Sequence, residues 1–175
     1  MTSFDISNPP DGARHAPVKT SLTWPLAPQF ILKLRVQPRE IDDFNHVNNV
    51  VYLGWMARCA WAHSKALGFD FAVFENNDCG FVVTRHEIDY HAAAKPNERV
   101  EVATWIVEND ERLKLSRRFL IRSADRDVHL ASGVTRFASM RLSTEKACRM
   151  APAYRSGYPV DDAAQAHFGP LDKAR

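Results

Sequence analysis

From about residue 29 to residue 149 the apolar positions change period in a way that separates one helix from five strands. Residues 30–37 (FILKLRVQ) alternate as a strand does, and a loop dense in turn formers follows from Pro38 to Asn48. Residues 49–67 (NVVYLGWMARCAWAHSKAL) then read as a long helix, with Gly68 placed where a helix would stop. Only Arg58, His63 and Lys65 in that helix are charged or titratable, so it is expected to be buried rather than to lie on a surface. Gly54 inside it weakens a helix by about 1 kcal/mol relative to alanine. Close approach of another backbone would account for its presence.

Four more alternating runs follow, at residues 81–91, 99–107, 112–123 and 129–142, with Gly133 a candidate bulge. Short turns at Asn109–Glu111 and Asp125–Asp127 make the last three an antiparallel meander. This order gives an α+β domain, an antiparallel sheet of about five strands wrapped around one long central helix. One helix cannot cover such a sheet, so a homodimer, or a dimer of dimers, is expected to complete it.

The ends read differently. Residues 1–28 carry Pro9, Pro10, Pro17, Pro25 and Pro28 with little apolar periodicity, and are expected to be extended or disordered, with Trp24 and Leu26 packing on the body. Residues 150–175 are broken by Pro152, Gly157, Pro159, Gly169 and Pro170 and read as an irregular tail, with at most a helical turn near 161–167. The domain is therefore expected to span 29–149.

Composition narrows the function. Among 175 residues, 23 Lys and Arg against 21 Asp and Glu leave a net charge of +2, too little for a general nucleic-acid binder. No apolar run approaches the roughly 18 residues of a membrane span. The opening residues, MTSFDISNPP, lack the features of a secretory signal. Cys59, Cys79 and Cys148 are scattered, odd in number and without metal-ligand or redox spacing. A cytoplasmic protein with reduced thiols is the expectation. His86 and His91 fall on opposite faces of one strand, and no metal is expected.

The chemistry concentrates before the helix. Residues 39–52 (REIDDFNHVNNVVY) crowd Asp42, Asp43, His46 and three asparagines against its start. A helix N-terminus offers unpaired N–H groups that hold an oxyanion. A carboxylate nearby can attack a carbonyl or activate water. Asn48 also fits a plain helix cap, with Asp42 and Asp43 complementing the dipole.

The pattern D-x-x-x-H-V-N-N-x-x-Y ahead of an apolar helix resembles the hotdog-fold thioesterases, in the group that includes 4-hydroxybenzoyl-CoA thioesterase and the plant acyl-ACP thioesterases. The resemblance covers about residues 30–145. It implies hydrolysis of an acyl-CoA thioester at a subunit interface, without metal or redox cofactor. It places Asp42 on the catalytic carboxylate and His46 on the histidine used by the acyl-ACP branch. Asn49 falls where a backbone N–H meets the thioester oxygen. Asn48 would orient the loop or the water and contact the substrate, and, apart from the resemblance, the closeness of Phe44 and Trp55 to the loop in sequence makes them expected walls of an acyl pocket. Two positions depart from the pattern: Asn45 stands where one branch has glycine, and Phe44 where the other has a functional asparagine. The absence of Asp and Glu from residues 49–67 excludes branches that carry the carboxylate on the helix.

Coenzyme A brings phosphates that need cations. Residues 112–149 hold ten basic and three acidic side chains, and Arg117 and Arg118 are the expected phosphate ligands, with Arg136 able to share an anion with Arg118. An acyl carrier protein in place of CoA, or a non-catalytic protein that binds acyl-CoA, are the alternatives.

Overall fold

The structure is a computed structural model and describes residues 24–171. Strand β1 (Phe30–Arg35) leads through a single 3-10 turn and the Asp42 loop into helix α1 (Asn49–Ala66). A short helix α2 (Phe71–Asn76) precedes the long strands β2 (Gly80–Tyr90), β3 (Arg99–Asn109), β4 (Lys114–Ser123) and β5 (Val128–Arg141). A two-residue β6 (Lys146–Ala147) and helices α3 (Pro152–Gly157) and α4 (Asp162–Phe168) complete the described chain. The sheet runs β1-β3-β4-β5-β2, all antiparallel, with β6 beside β5. This is the hotdog arrangement: a curled antiparallel sheet holding α1 against one face.

Helix α1 starts where Asn48 Oδ1 accepts from Val50 N (3.0 Å) and ends at Gly68, whose φ of +89° only glycine adopts easily. Tyr52, Trp55, Met56 and Cys59 of its inner face pack with Val100, Val102, Phe119 and Ile121 of the sheet. The opposite stripe is open: Val50 is 74% exposed and Trp61 52%, with Gly54 and Ala57 exposed between them. The helix expected to be buried throughout is thus buried on one side of a single chain. No atom of the described chain approaches the place a Cβ would take on Gly54, so any close backbone there comes from outside it.

Gly133 is not a bulge. Its pairing is regular with Ile88 and Phe119, and the register shifts instead at Val83/Arg85, Ile106/Glu108 and Ile121/Arg122. A Cβ at Gly133 would meet Met56 Cε at 2.8 Å and the Glu87 carbonyl at 2.9 Å, so glycine is there to admit the helix.

The C-terminal segment corrects the expected irregular tail. Pro152 opens α3, a position where its missing N–H costs nothing. Asp161 Oδ1 caps α4 by accepting from Ala164 N (2.8 Å). Tyr154 and Tyr158 are buried against Phe69, Phe74 and Phe81. Phe168, Trp24 and Leu26 cover Trp105 on the outer face of the sheet.

Candidate active site

The Asp42 loop is held by its own backbone. Ile41 bridges Val47, the Asp42 N–H donates to the His46 carbonyl (2.8 Å), and Asn45 takes the left-handed conformation (φ 57°) that the tight reversal requires. Asp42 Oδ1 accepts from the N–H groups of Phe44 (3.0 Å) and His46 (3.3 Å), which fixes the carboxylate within the loop. The loop is tied to its neighbours by Val47 N to the Ala94 carbonyl (3.1 Å) and Asn48 N to the Glu40 carbonyl (2.9 Å).

These constraints open a cleft of about 490 Å³ in which Asp42, Phe44, His46, Asn48 and Asn49 meet Tyr90 and His91. Asn49 supplies the first N–H of α1, and no acceptor meets it among the described residues. Its carbonyl accepts from Tyr90 Oη (3.1 Å). Phe44 is 81% exposed at the mouth. Asn48 lines the cleft, yet its side-chain oxygen is spent on Val50 N as a cap.

The far wall, residues 91–93, is backed by an ion network around the buried Glu98 that sequence reasoning did not find. Glu98 bonds the Arg126 guanidinium and Ser123 Oγ at short range and accepts from Lys95 N (2.7 Å), while Arg126 also donates to the Ala93 carbonyl (2.7 Å). Burial pushes the Glu98 carboxyl up, but the bonds from Arg126, Ser123 and Lys95 outweigh it and hold the pKa below the ordinary value. Tyr52 Oη accepts from Ala94 N (2.8 Å), joining the helix to this wall.

Two expected pocket residues lie elsewhere. Trp55 is 1% exposed, packed in the core with its ring N–H on Glu40 (3.3 Å), and walls no cleft. Arg117 is also 1% exposed and points inward, so it cannot reach phosphates at a pocket mouth. Arg118 is on the outer face, over Phe168 and donating to the Gly169 carbonyl at 3.5 Å. Arg136 shares that face but is engaged by Glu87 (3.2 Å). Tyr90 and His91 of the cleft were missed; their position at the end of a strand gave no signal of what faces them.

A second, mostly apolar cavity of about 250 Å³ lies further along α1, between residues 56–64, α2 and the inner faces of β2, β4 and β5. Phe74, Phe81, Leu115 and Phe137 form its walls and Arg117 its charged end.

Among the described residues, no three His, Cys, Asp or Glu side chains are grouped to hold a metal ion. No described helix is long and apolar enough to cross a membrane.

With the curled sheet, the inner helix and the carboxylate at its start in place, residues 36–157 match the family model of the thioesterase-like superfamily. The chain belongs to the thioesterase-like superfamily. It is a thioester hydrolase with the hotdog fold. Solved structures agree on the fold. A DHNA-CoA thioesterase from Staphylococcus aureus is 22% identical with a TM-score of 0.69, over 81% of this chain and 95% of that one. A 1,4-dihydroxy-2-naphthoyl-CoA thioesterase from Synechocystis is 15% identical with a TM-score of 0.67, over 74% and 94%. A probable thioesterase from Escherichia coli is 18% identical with a TM-score of 0.62, over 73% and 95%. No curated protein sequence matches the chain.

Proposed function

We propose that this hydrolase cleaves acyl-CoA thioesters to the free acid and coenzyme A in the Asp42 cleft, with Asp42 as the reacting carboxylate. The observation that carries the reading is the convergence of that carboxylate and the first N–H of α1 on one cleft. As general base, Asp42 takes a proton from water, and the water oxygen attacks the thioester carbonyl carbon. The carbonyl oxygen gains negative charge and is held by Asn49 N–H at the positive end of the helix. The C–S bond then breaks, and the sulfur leaves with the proton that Asp42 had taken. As nucleophile, Asp42 instead attacks the carbonyl carbon, the C–S bond breaks to release the coenzyme A thiolate, and water then opens the mixed anhydride to the free acid and the Asp42 carboxylate, its proton going to the thiolate. His46 and Asn48 hold the loop and the helix start, and Phe44 guards the mouth. No metal or redox cofactor is required by either route.

Release of thiol from short, medium, long-chain and aromatic acyl-CoAs, by wild type and Asp42→Asn together, tests this. A fall of about a hundredfold or more in the variant, the scale of losing a general base, supports the role. Turnover that survives would move the chemistry to His46. No turnover on any member would point to a carrier-protein substrate or a non-catalytic binder. Label found in Asp42 after a single turnover in ¹⁸O-water would establish the nucleophilic route, since a general base gains none.

The working form is proposed to be a homodimer. β2 ends the sheet as an 11-residue edge, and the open apolar stripe of α1 lies on the same molecule. Long unpaired edges and contiguous apolar surface both favour pairing with another chain. Gly54→Arg probes this. A Cβ at this exposed position has nothing within 4 Å among the described residues, so the arginine should convert dimer to monomer in ultracentrifugation while the fold persists. A variant that stays dimeric would remove this surface from the interface.

A further inference from the structure

Arg117 has a role that the hydrolysis above leaves unused. The strand registers set Arg117 opposite Thr135, and Thr135 opposite His86, so three polar side chains stand in a row across β4, β5 and β2 on the inner face of the sheet. All three line the 250 Å³ cavity, which is otherwise walled by aromatic and aliphatic groups.

The partners of Arg117 are neutral. Nη1 contacts His63 Nδ1 at 2.7 Å, Nη2 donates to Ser64 Oγ at 3.2 Å, and the Tyr158 ring lies 5.5 Å from Cζ. Burial and the neighbouring guanidinium lower the His63 pKa to about 4, so His63 is an uncharged acceptor. Burial likewise raises the Tyr158 phenol, which donates to Ser64 Oγ at 3.1 Å. Among the described residues no carboxylate forms an ion pair with Arg117. A charge held inside a protein without an opposite charge costs several kcal/mol. A merely structural donor at this position would be better served by an uncharged side chain.

We infer that the Arg117 cavity receives the far end of the acyl group and selects acyl chains that terminate in a carboxylate. This rests on the proposed acyl-CoA reading. The carboxylate accepts from the Arg117 guanidinium, and the Ser64 hydroxyl, already accepting from Arg117 and Tyr158, retains its own hydrogen to donate. One monoanion balances one guanidinium, whereas a phosphate dianion would leave a buried negative charge. A neutral acyl end would leave the cation as it is. Trp61, Phe71 and Val83, all exposed, rim the mouth beside the β2 edge. Ser64 stands fifteen residues beyond Asn49 on α1, about 22 Å along the axis. A long chain therefore fits service from the same protomer's cleft, and a short one fits service from a second copy's.

The test is binding of matched pairs of neutral and ω-carboxyl acyl-CoAs, at short, medium and long chain lengths, to Asp42→Asn protein by calorimetry, which needs no turnover. A charge-assisted hydrogen bond contributes about 1.5–3 kcal/mol, so the ω-carboxyl member should bind roughly ten to a hundredfold more tightly at one length. Adding Arg117→Met should erase that preference and leave the neutral member bound as well as before; Arg117→Lys should retain part of it. Equal binding of both members at every length overturns the inference, as does an Arg117→Met loss shared equally by both. If Arg117→Met does not fold, the comparison within Asp42→Asn protein decides alone. Discrimination without wild-type turnover would sink the hydrolysis reading and leave this one, and turnover without discrimination would do the opposite.

Discussion

The Asp42 cleft and the Arg117 cavity sit at two points along one helix and are built on opposite principles. The cleft is polar, open and made from neighbours in sequence: Asp42 is fixed by the N–H groups of Phe44 and His46, and the helix cap is the residue just before α1. The cavity is apolar, open only at a hydrophobic rim and made from strands distant in sequence, with one buried cation as its polar end. Reacting groups need water and a positioned carboxylate, while recognition of an acyl group needs apolar wall and one fixed feature. On the roles proposed above, chemistry and selectivity are separable, and a substitution in one region should leave the other's property standing.

That separation can be broken in order of effect. Glu98→Gln should cost the most, about 1.5–3 kcal/mol in denaturant unfolding, the scale of a charge-assisted hydrogen bond, because the partly exposed Arg126 loses its carboxylate partner and the buried Ser123 hydroxyl loses a charged acceptor. It also removes support from the cleft wall at Ala93, so turnover should fall with stability. Because the Glu98 pKa is depressed in the folded protein, its contribution is present above the ordinary carboxylate range and is lost as pH falls through the folded value. The variant's acid limb should be correspondingly flatter. Asp42→Asn should lower turnover by about a hundredfold and leave the melting temperature within a degree or two, since its bonds are local and solvent-facing. If melting drops sharply, the loop is structural and the contrast fails.

His63 sharpens the cavity side. Its pKa falls from 6.5 in the free side chain to about 4 when folded. The stability tied to the neutral form is complete above 6.5 and is lost as pH falls from there toward 4. The wild-type melting temperature should therefore decline over that window more steeply than that of His63→Gln. The smallest effect belongs to Asn48→Ala, about 1 kcal/mol for a lost helix cap. Turnover should decline modestly while the ratio between ω-carboxyl and neutral substrates is unchanged.

How legible each region was follows from the same contrast. The α+β order, the meander and the α1 boundaries lie in local alternation and in Gly68, and Asp42 lies in a contiguous motif beside a recognisable helix start. The row Arg117–Thr135–His86 depends on register between strands up to about fifty residues apart, which no local period encodes. Arg117 stands out in the sequence by charge density, yet its side chain is buried, because burial depends on which face of β4 turns inward. Trp55 was assigned by closeness in sequence to the loop, yet α1 carries it to the core side with Tyr52. The C-terminal prolines and glycines read as breaks although Pro152 begins a helix. Cys79 and Cys148, far apart in the chain, end with their sulfurs 3.7 Å apart.

The strand order also dictates a sequence of events during folding. β3, β4 and β5 join through turns of a few residues, whereas β2 must find β5 across the whole meander, and β1 must find β3 across α1, α2 and β2. Closing long loops slows ordering, so the meander is expected to be protected first in pulsed hydrogen exchange, the β2 amides later, and the β1 amides, whose pairing spans the longest stretch of chain, last. The Asp42 loop is tied by Val47 to Ala94, just beyond β2. On the proposed function, a nascent chain seats its locally fixed Asp42 loop against the cleft wall only after β2 has paired, so partly folded protein should be catalytically silent.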